Sequence, residues 1–336
     1  MKIPALPFIL NLSLFLSFAL FSGCKKSTLE TTSGKTTPAK TKLAFVTNAS
    51  ADFWAYAEAG IAQAEKEFDD IEVEFKVGDG TPAKQRELVE ALLVRGVKGI
   101  AISPCSPKGQ KDMLNEWAQK ASLITVDSDA ADTGRKFYLG TDNVAAGRQA
   151  GELLKEALPE GGKVMAFVGL GDQANAVERY QGLKEAVAGT KIEILDLRTD
   201  EVDFGKARRN AEDTLTKYPD IAGMVGLWSY NGPLILEAVK DKGVLDKVKI
   251  IAFDEDPRTL KAIDQGEIFA TVAQKPYEFG YQSVKALRDL IVENKTAQDL
   301  GVPETKQKFI ETIIIRKGEG EAYLEKCNAW KASTKK

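Results

Sequence analysis

The sequence predicts an α/β protein built as two doubly wound, parallel-sheet lobes. Three observations carry this reading. From Lys42 onward, short apolar runs rich in β-branched residues alternate with helical stretches. The runs are hydrophobic almost throughout, not at every second position, so both faces of each sheet must be covered by helices. Ten or eleven such runs fit into about 275 residues, which suits two open sheets better than one sheet or an eight-stranded barrel. Strand–helix–strand repetition then implies parallel pairing with right-handed crossovers.

The elements follow in chain order. Residues 1–23 begin with one Lys, continue in an apolar run and end in Ser22-Gly23 before Cys24, the pattern of a secretory signal. Pro4, Pro7 and Asn11 count against a membrane-spanning helix there. Residues 24–41 are rich in Ser, Thr and Lys and cannot bury enough surface to offset their chain entropy, so they are read as a tether. Strands are expected at 43–47, 72–77, 99–103, 123–127, 136–139 and 164–168. More follow at 192–197, 223–227, 249–253, 269–273 and 308–315, with a polar tail over 317–336. Between them, Phe53, Ala57, Ile61, Ala64 and Phe68 recur at helical spacing and line one face. Similar patterns mark helices at 83–94, 113–121, 144–158, 175–187, 205–218, 233–242 and 278–292.

Composition narrows the chemistry. Among 336 residues, 46 Lys plus Arg against 49 Asp plus Glu leave a net charge of −3, which offers no electrostatic reason to bind nucleic acid. The chain contains no histidine, which removes Ser-His-Asp and Cys-His nucleophile pairs, His-ligated zinc and the commonest general base. No cofactor and no metal is expected. The segment 169–174, Gly-Leu-Gly-Asp-Gln-Ala, follows a strand and matches a dinucleotide fingerprint, with Asp196 at the end of the next strand. Its Asp172, placed where a pyrophosphate would lie, counts against that use.

Ligands of open parallel sheets bind beyond the carboxyl ends of the strands. Polar and aromatic residues collect there: Asn48, Phe53 and Trp54 after the first strand, and Asp127 and Asp129 after the fourth. Asn175 and Arg179 follow the sixth, Trp228 and Asn231 the eighth, Asp254 the ninth and Gln274 the tenth. Carboxylates accept hydroxyl hydrogens, amides donate and accept, Arg donates a fork, and aromatic rings offer flat faces to C–H surfaces. Together they suit a small polyhydroxylated molecule. Individually each has a plain alternative, such as an N-cap for Asp142 or Asn231 and core packing for Phe53. Asp127 and Asp129, paired carboxylates, are the only hint of glycosidic chemistry, and their i, i+2 spacing supports it weakly.

Two resemblances sharpen this. Phe21-Ser22-Gly23-Cys24 resembles the lipobox of bacterial lipoproteins, although Phe21 stands where Leu is usual, and it implies lipidation of Cys24 and a membrane anchor. The segments 46–54 (VTNASADFW), 124–129 (ITVDSD), 140–151 (GTDNVAAGRQAG), 175–182 (NAVERYQG), 202–204 (VDF), 250–254 (IIAFD) and 270–276 (ATVAQKP) together resemble type I periplasmic sugar-binding proteins of the ribose-binding kind.

That resemblance implies two lobes joined by three crossovers, one of residues 42–140 plus 276–302 and the other of 141–275 plus 303–316. Phe53 and Trp54 would stack on a sugar ring, while Asp127, Asp254 and Gln274 would bind its hydroxyls. Phe204 would close from the second lobe, and Arg179 or Asn175 would add a contact there. The pattern departs at Ala51, where Asn48 is the compensating residue; at Ser128, in place of Arg; and at Trp228, in place of Asn, with Asn231 as substitute.

The implied function is capture of a monosaccharide or polyol by a monomeric, lipid-anchored protein of the periplasm or cell envelope, which presents it to an ABC permease in the inner membrane. The alternative is a sensor that delivers its closed form to a chemoreceptor or histidine kinase. A repressor would need a basic helix-turn-helix where the signal and tether stand. With Cys24 lipidated, Cys105 and Cys327 remain as an even pair and a possible disulfide.

Overall fold

A computed structural model describes residues 39–333; the signal, Cys24 and residues 24–38 of the tether lie outside the described residues. The first sheet draws on β1 (Thr41–Val46), β2 (Ile71–Lys76), β3 (Gly99–Ile102), β4 (Ser122–Val126), β5 (Tyr138–Gly140) and β11 (Gln307–Phe309). The second draws on β6 (Gly162–Val168), β7 (Ile192–Thr199), β8 (Ile221–Gly226), β9 (Lys249–Phe253), β10 (Ala270–Ala273) and β12 (Ile313–Arg316). Their strand orders repeat each other, β11-β5-β4-β3-β1-β2 and β12-β10-β9-β8-β6-β7. Pairing is parallel throughout except for β12, which runs antiparallel to β10. The expected two-lobe, parallel-sheet α/β architecture is therefore observed.

Helices cover both faces, as the continuous apolar strands required. They are α1 (Phe53–Glu67), α2 (Pro82–Val94), α3 (Lys111–Lys120), α4 (Asn143–Ala157) and α5 (Ala174–Val187), then α6 (Phe204–Lys217), α7 (Asn231–Asp241), α8 (Pro257–Gln265), α9 (Pro276–Ile291) and α10 (Gly320–Ser333). Local chemistry sets several starts. Thr81, Asp142, Asp203 and Asp256 each accept a backbone N–H in the first turn of α2, α4, α6 and α8, and Pro82 and Pro257 follow two of these caps.

One helix crossing in each lobe runs backbone to backbone. A Cβ on Gly280 of α9 would lie 1.9 Å from the carbonyl oxygen of Ala57 in α1, and one on Gly182 of α5 would lie 2.0 Å from that of Val144 in α4. Only glycine permits either approach.

Three expectations need correction. The strand expected at 308–315 is two strands on different sheets: Phe309 pairs with Gly140 in the first, and Ile313 with Ala273 in the second. The third crossover therefore falls between β11 and β12, and residues 303–309 go with the first lobe. The polar tail is the helix α10, which packs on both α1 and α8. Its Trp330 stacks on Tyr277 at 4.9 Å between ring centroids, and Tyr323 and Leu324 pack beside Leu260. Finally, Cys105 and Cys327 do not pair. Cys105 sits in the loop after β3 and points its thiol at Gln110 Oε1 (3.4 Å), whereas Cys327 lies on the buried face of α10 itself, and both are free and buried. Burial pushes each thiol up to about 12.

Candidate ligand-binding cleft between the lobes

The carboxyl ends of both sheets face one another across a narrow cavity, the place where open parallel sheets bind their ligands. Its walls come from the loops after β1, β4, β7, β8, β9 and β10 and from the first turns of α1 and α5.

In the first lobe, α1 opens with Phe53 and Trp54, which meet edge to face at 5.0 Å between centroids. The indole Nε1 of Trp54 donates to Asn48 Oδ1 (3.0 Å), which fixes both the ring and the amide. Asp127 takes a left-handed φ of 63° just beyond β4. Its carboxylate accepts from Ser103 Oγ (2.9 Å) and from Asn175 Nδ2 of the facing lobe (3.1 Å). Asp254 occupies the corresponding position just beyond β9, with φ 66°. Such backbone is uncommon for a residue with a side chain and is held here by the surrounding fold. Burial raises both carboxyls, Asp254 to about 6, against the opposing pull of the Arg179 charge.

Arg179 is the cation of the cleft. It is fully buried, donates Nε to Asn143 Oδ1 (3.0 Å) and Nη1 to the Leu227 carbonyl (2.7 Å), and lies over the Phe253 ring at 4.7 Å. Gln274 Nε2 donates to Asp254 Oδ1 (2.8 Å), while its Oε1 accepts from Thr141 Oγ1 (2.9 Å) at the crossovers. Trp228 and Tyr230 complete the second wall. The Trp228 ring rests on Gly169, whose absent Cβ would stand 2.2 Å from Cζ3. Among the described residues, Arg179 Nη2, Trp228 Nε1 and Asn175 Oδ1 are buried with no hydrogen-bond partner.

Of the residues singled out from sequence, Asn48, Phe53, Trp54, Asp127, Asn175, Arg179, Asp254 and Gln274 all line this cavity. Three do not. Asp129 turns away and is held by the buried Arg135 guanidinium, with Nη2 to Oδ2 at 2.6 Å, and by Thr125 Oγ1 (2.8 Å). Asn231 lies behind the wall: its Oδ1 accepts from Trp228 N (3.1 Å) and its Nδ2 donates to Asp200 (3.0 Å). Phe204 is exposed at the cleft mouth, its ring tilted at 33° against Tyr230 with centroids 4.6 Å apart. Sequence reasoning set Trp228 and Tyr230 after the eighth strand but gave the ligand contact there to Asn231, and it passed over Asp200. Asp200 was not legible, because its role depends on accepting from Tyr230 Oη (2.6 Å) across 30 residues. Burial raises its carboxyl to about 6.

A family model for the periplasmic binding protein domain matches residues 43–295. The chain belongs to the periplasmic binding protein family. It is 30% identical over 245 residues to the ribose import binding protein RbsB of Escherichia coli strain K12, covering 70% of this chain and 82% of that protein. The structure resembles GanP, a glucose-galactose binding protein from Geobacillus stearothermophilus, with TM-score 0.76 and 28% identity over 82% of this chain and 97% of that one. It also resembles the sugar-binding protein of a sugar ABC transporter from Bacillus halodurans, with TM-score 0.73 and 27% identity over 84% and 100%. This is the sugar-binding, ABC-type branch of solute-binding proteins, and its members bind and deliver rather than catalyse. The cleft accords with that in presenting carboxylates, amides, one guanidinium and ring faces.

Proposed function

We propose that this protein captures a neutral monosaccharide or related polyol between its lobes and hands it unchanged to an ABC permease of the inner membrane. The observation that carries the reading is the set of unpartnered polar atoms in the cleft, Arg179 Nη2, Trp228 Nε1 and Asn175 Oδ1, beside the carboxylates of Asp127 and Asp254. Buried donors and acceptors of this kind are costly unless a ligand completes them. Ring hydroxyls, which donate and accept at once, complete both kinds. Phe53 and Trp54 on one side and Trp228 and Tyr230 on the other supply apolar faces for the C–H surfaces of a sugar ring. Two carboxylates against a single guanidinium disfavour an acidic sugar.

The crossovers at 140–143, 273–276 and 309–313 act as the hinge in this reading, and closure about them buries the sugar. Cys24 carries lipid and the tether holds the lobes off the membrane. A thermal-shift panel of neutral pentoses, hexoses, polyols and uronic acids tests the ligand class. One neutral member should raise the melting temperature by mass action, and a panel in which none does, or only a uronic acid does, refutes it. Fatty-acid labelling tests the anchor: wild type should be labelled, and equal labelling of Cys24→Ser refutes it.

A further inference from the structure

The segment 169–174 reads in sequence as a dinucleotide fingerprint, and the sugar-binding function leaves most of it unexplained. It lies at the turn between β6 and α5. In the fold its polar side chains, together with Asn175, all reach into the other lobe. Asp172 Oδ2 accepts from Ser106 Oγ (2.9 Å). Gln173 Oε1 accepts from Asn48 Nδ2 (3.2 Å), and Gln173 Nε2 donates to the Pro104 carbonyl (2.9 Å). Asn175 Nδ2 donates to Asp127 Oδ2 (3.1 Å). We infer that this turn is an interlobe clasp, with Gln173 as a positioning residue that sets sugar affinity without touching the sugar.

The orientation of each amide in the clasp is over-determined. Asn48 Oδ1 accepts from both Ala49 N and Trp54 Nε1, so only its Nδ2 is left to face the second lobe. Gln173 must therefore offer Oε1 to Asn48 and Nε2 to the Pro104 carbonyl, and the reverse orientation would set donor against donor and oxygen against oxygen. Gln173 stands at the N-cap position of α5 yet makes no cap bond with its side chain. It is fully buried, and both ends of its amide are satisfied by the opposite lobe. These bonds exist only when the lobes meet, so they favour the closed form differentially, and apparent affinity scales with the closed, binding-competent fraction. The relay from Gln173 through Asn48 to Trp54 also couples closure to the ring that faces the ligand.

This inference rests on the cleft being a sugar site, so its test has one arm without sugar. In Gln173→Ala, scattering profiles of the sugar-free protein should shift toward a more open shape. Affinity for the sugar found in the panel should fall roughly 5- to 30-fold, through faster release with little change in the association rate. Gln173→Glu, which keeps the bond from Asn48 but sets an oxygen against the Pro104 carbonyl, should move the same way. Ser106→Ala, a breach of the clasp from the opposite lobe, should do so by less and keeps the test valid if a variant at 173 fails to fold. A sugar-free shape that does not open, or an unchanged release rate, overturns the clasp. If the shape opens but no sugar binds even the wild type, the sugar reading falls and the clasp stands.

Discussion

Replacing Asp254 by Asn should make the protein more stable and a poorer binder at the same time. Asn keeps the shape and can still accept from Gln274 Nε2, which now donates to Asp254 Oδ1 at 2.8 Å. What disappears is a buried charge held partly in place by Arg179 and opposed by Asp127. Raising a carboxyl from 3.8 to about 6 corresponds to roughly 3 kcal/mol disfavouring the ionised form at neutral pH. Asp254→Asn should recover up to about that much, seen as a higher melting temperature or denaturant midpoint of the sugar-free protein at pH 7. A hydrogen bond from a sugar hydroxyl to a carboxylate contributes about 1.5–3 kcal/mol, so calorimetry should show affinity weakened roughly 10- to 150-fold. A variant that is less stable at pH 7 and binds as tightly as wild type would refute the reasoning, because Asp254 would then be a structural anchor and not a ligand group.

Three further predictions come from the same cleft. Sugar affinity should be full above about pH 6 and fall as pH drops through that value, since Asp254 must be ionised to accept hydroxyls; calorimetry in buffers of different ionisation enthalpy should show proton release near pH 6, and none would count against this. The stability of the sugar-free protein should move in the opposite sense. The contributions of Asp254 and Asp200, both raised to about 6, are fully present below 3.8 and lost as pH rises through 6, which denaturation midpoints measure. Gly169→Ala should destabilise by about 1–3 kcal/mol and weaken sugar binding, because its Cβ would fall 2.2 Å from Trp228 Cζ3 and 2.6 Å from Tyr230 Oη. Unaltered binding in that variant would remove Trp228 and Tyr230 from the proposed ligand wall.

Much of the architecture was legible because it follows from local periodicity. Apolar runs without alternation announced strands covered on both faces, and their carboxyl ends located Asp127, Arg179, Asp254 and Gln274 to within a loop of where they meet. What the pattern could not carry is which partner each polar group finds. Asp129 and Asp127 are two residues apart, yet one faces the cleft and the other pairs with Arg135. Asn231 was a sensible substitute in sequence and proved to be the support behind Trp228. The polar tail became α10 because two lobes together offered it a seat that its own composition does not reveal.

The sequence by itself determined the repeating strands and helices, the two lobes and the chemical kind of ligand, because hydropathy and residue type act over a few neighbours. Only the tertiary structure decided the wiring between lobes. Asn48 and Gln173 are 125 residues apart and bond directly. Such a contact is written into neither segment, since it forms only after separate sheets have been brought face to face.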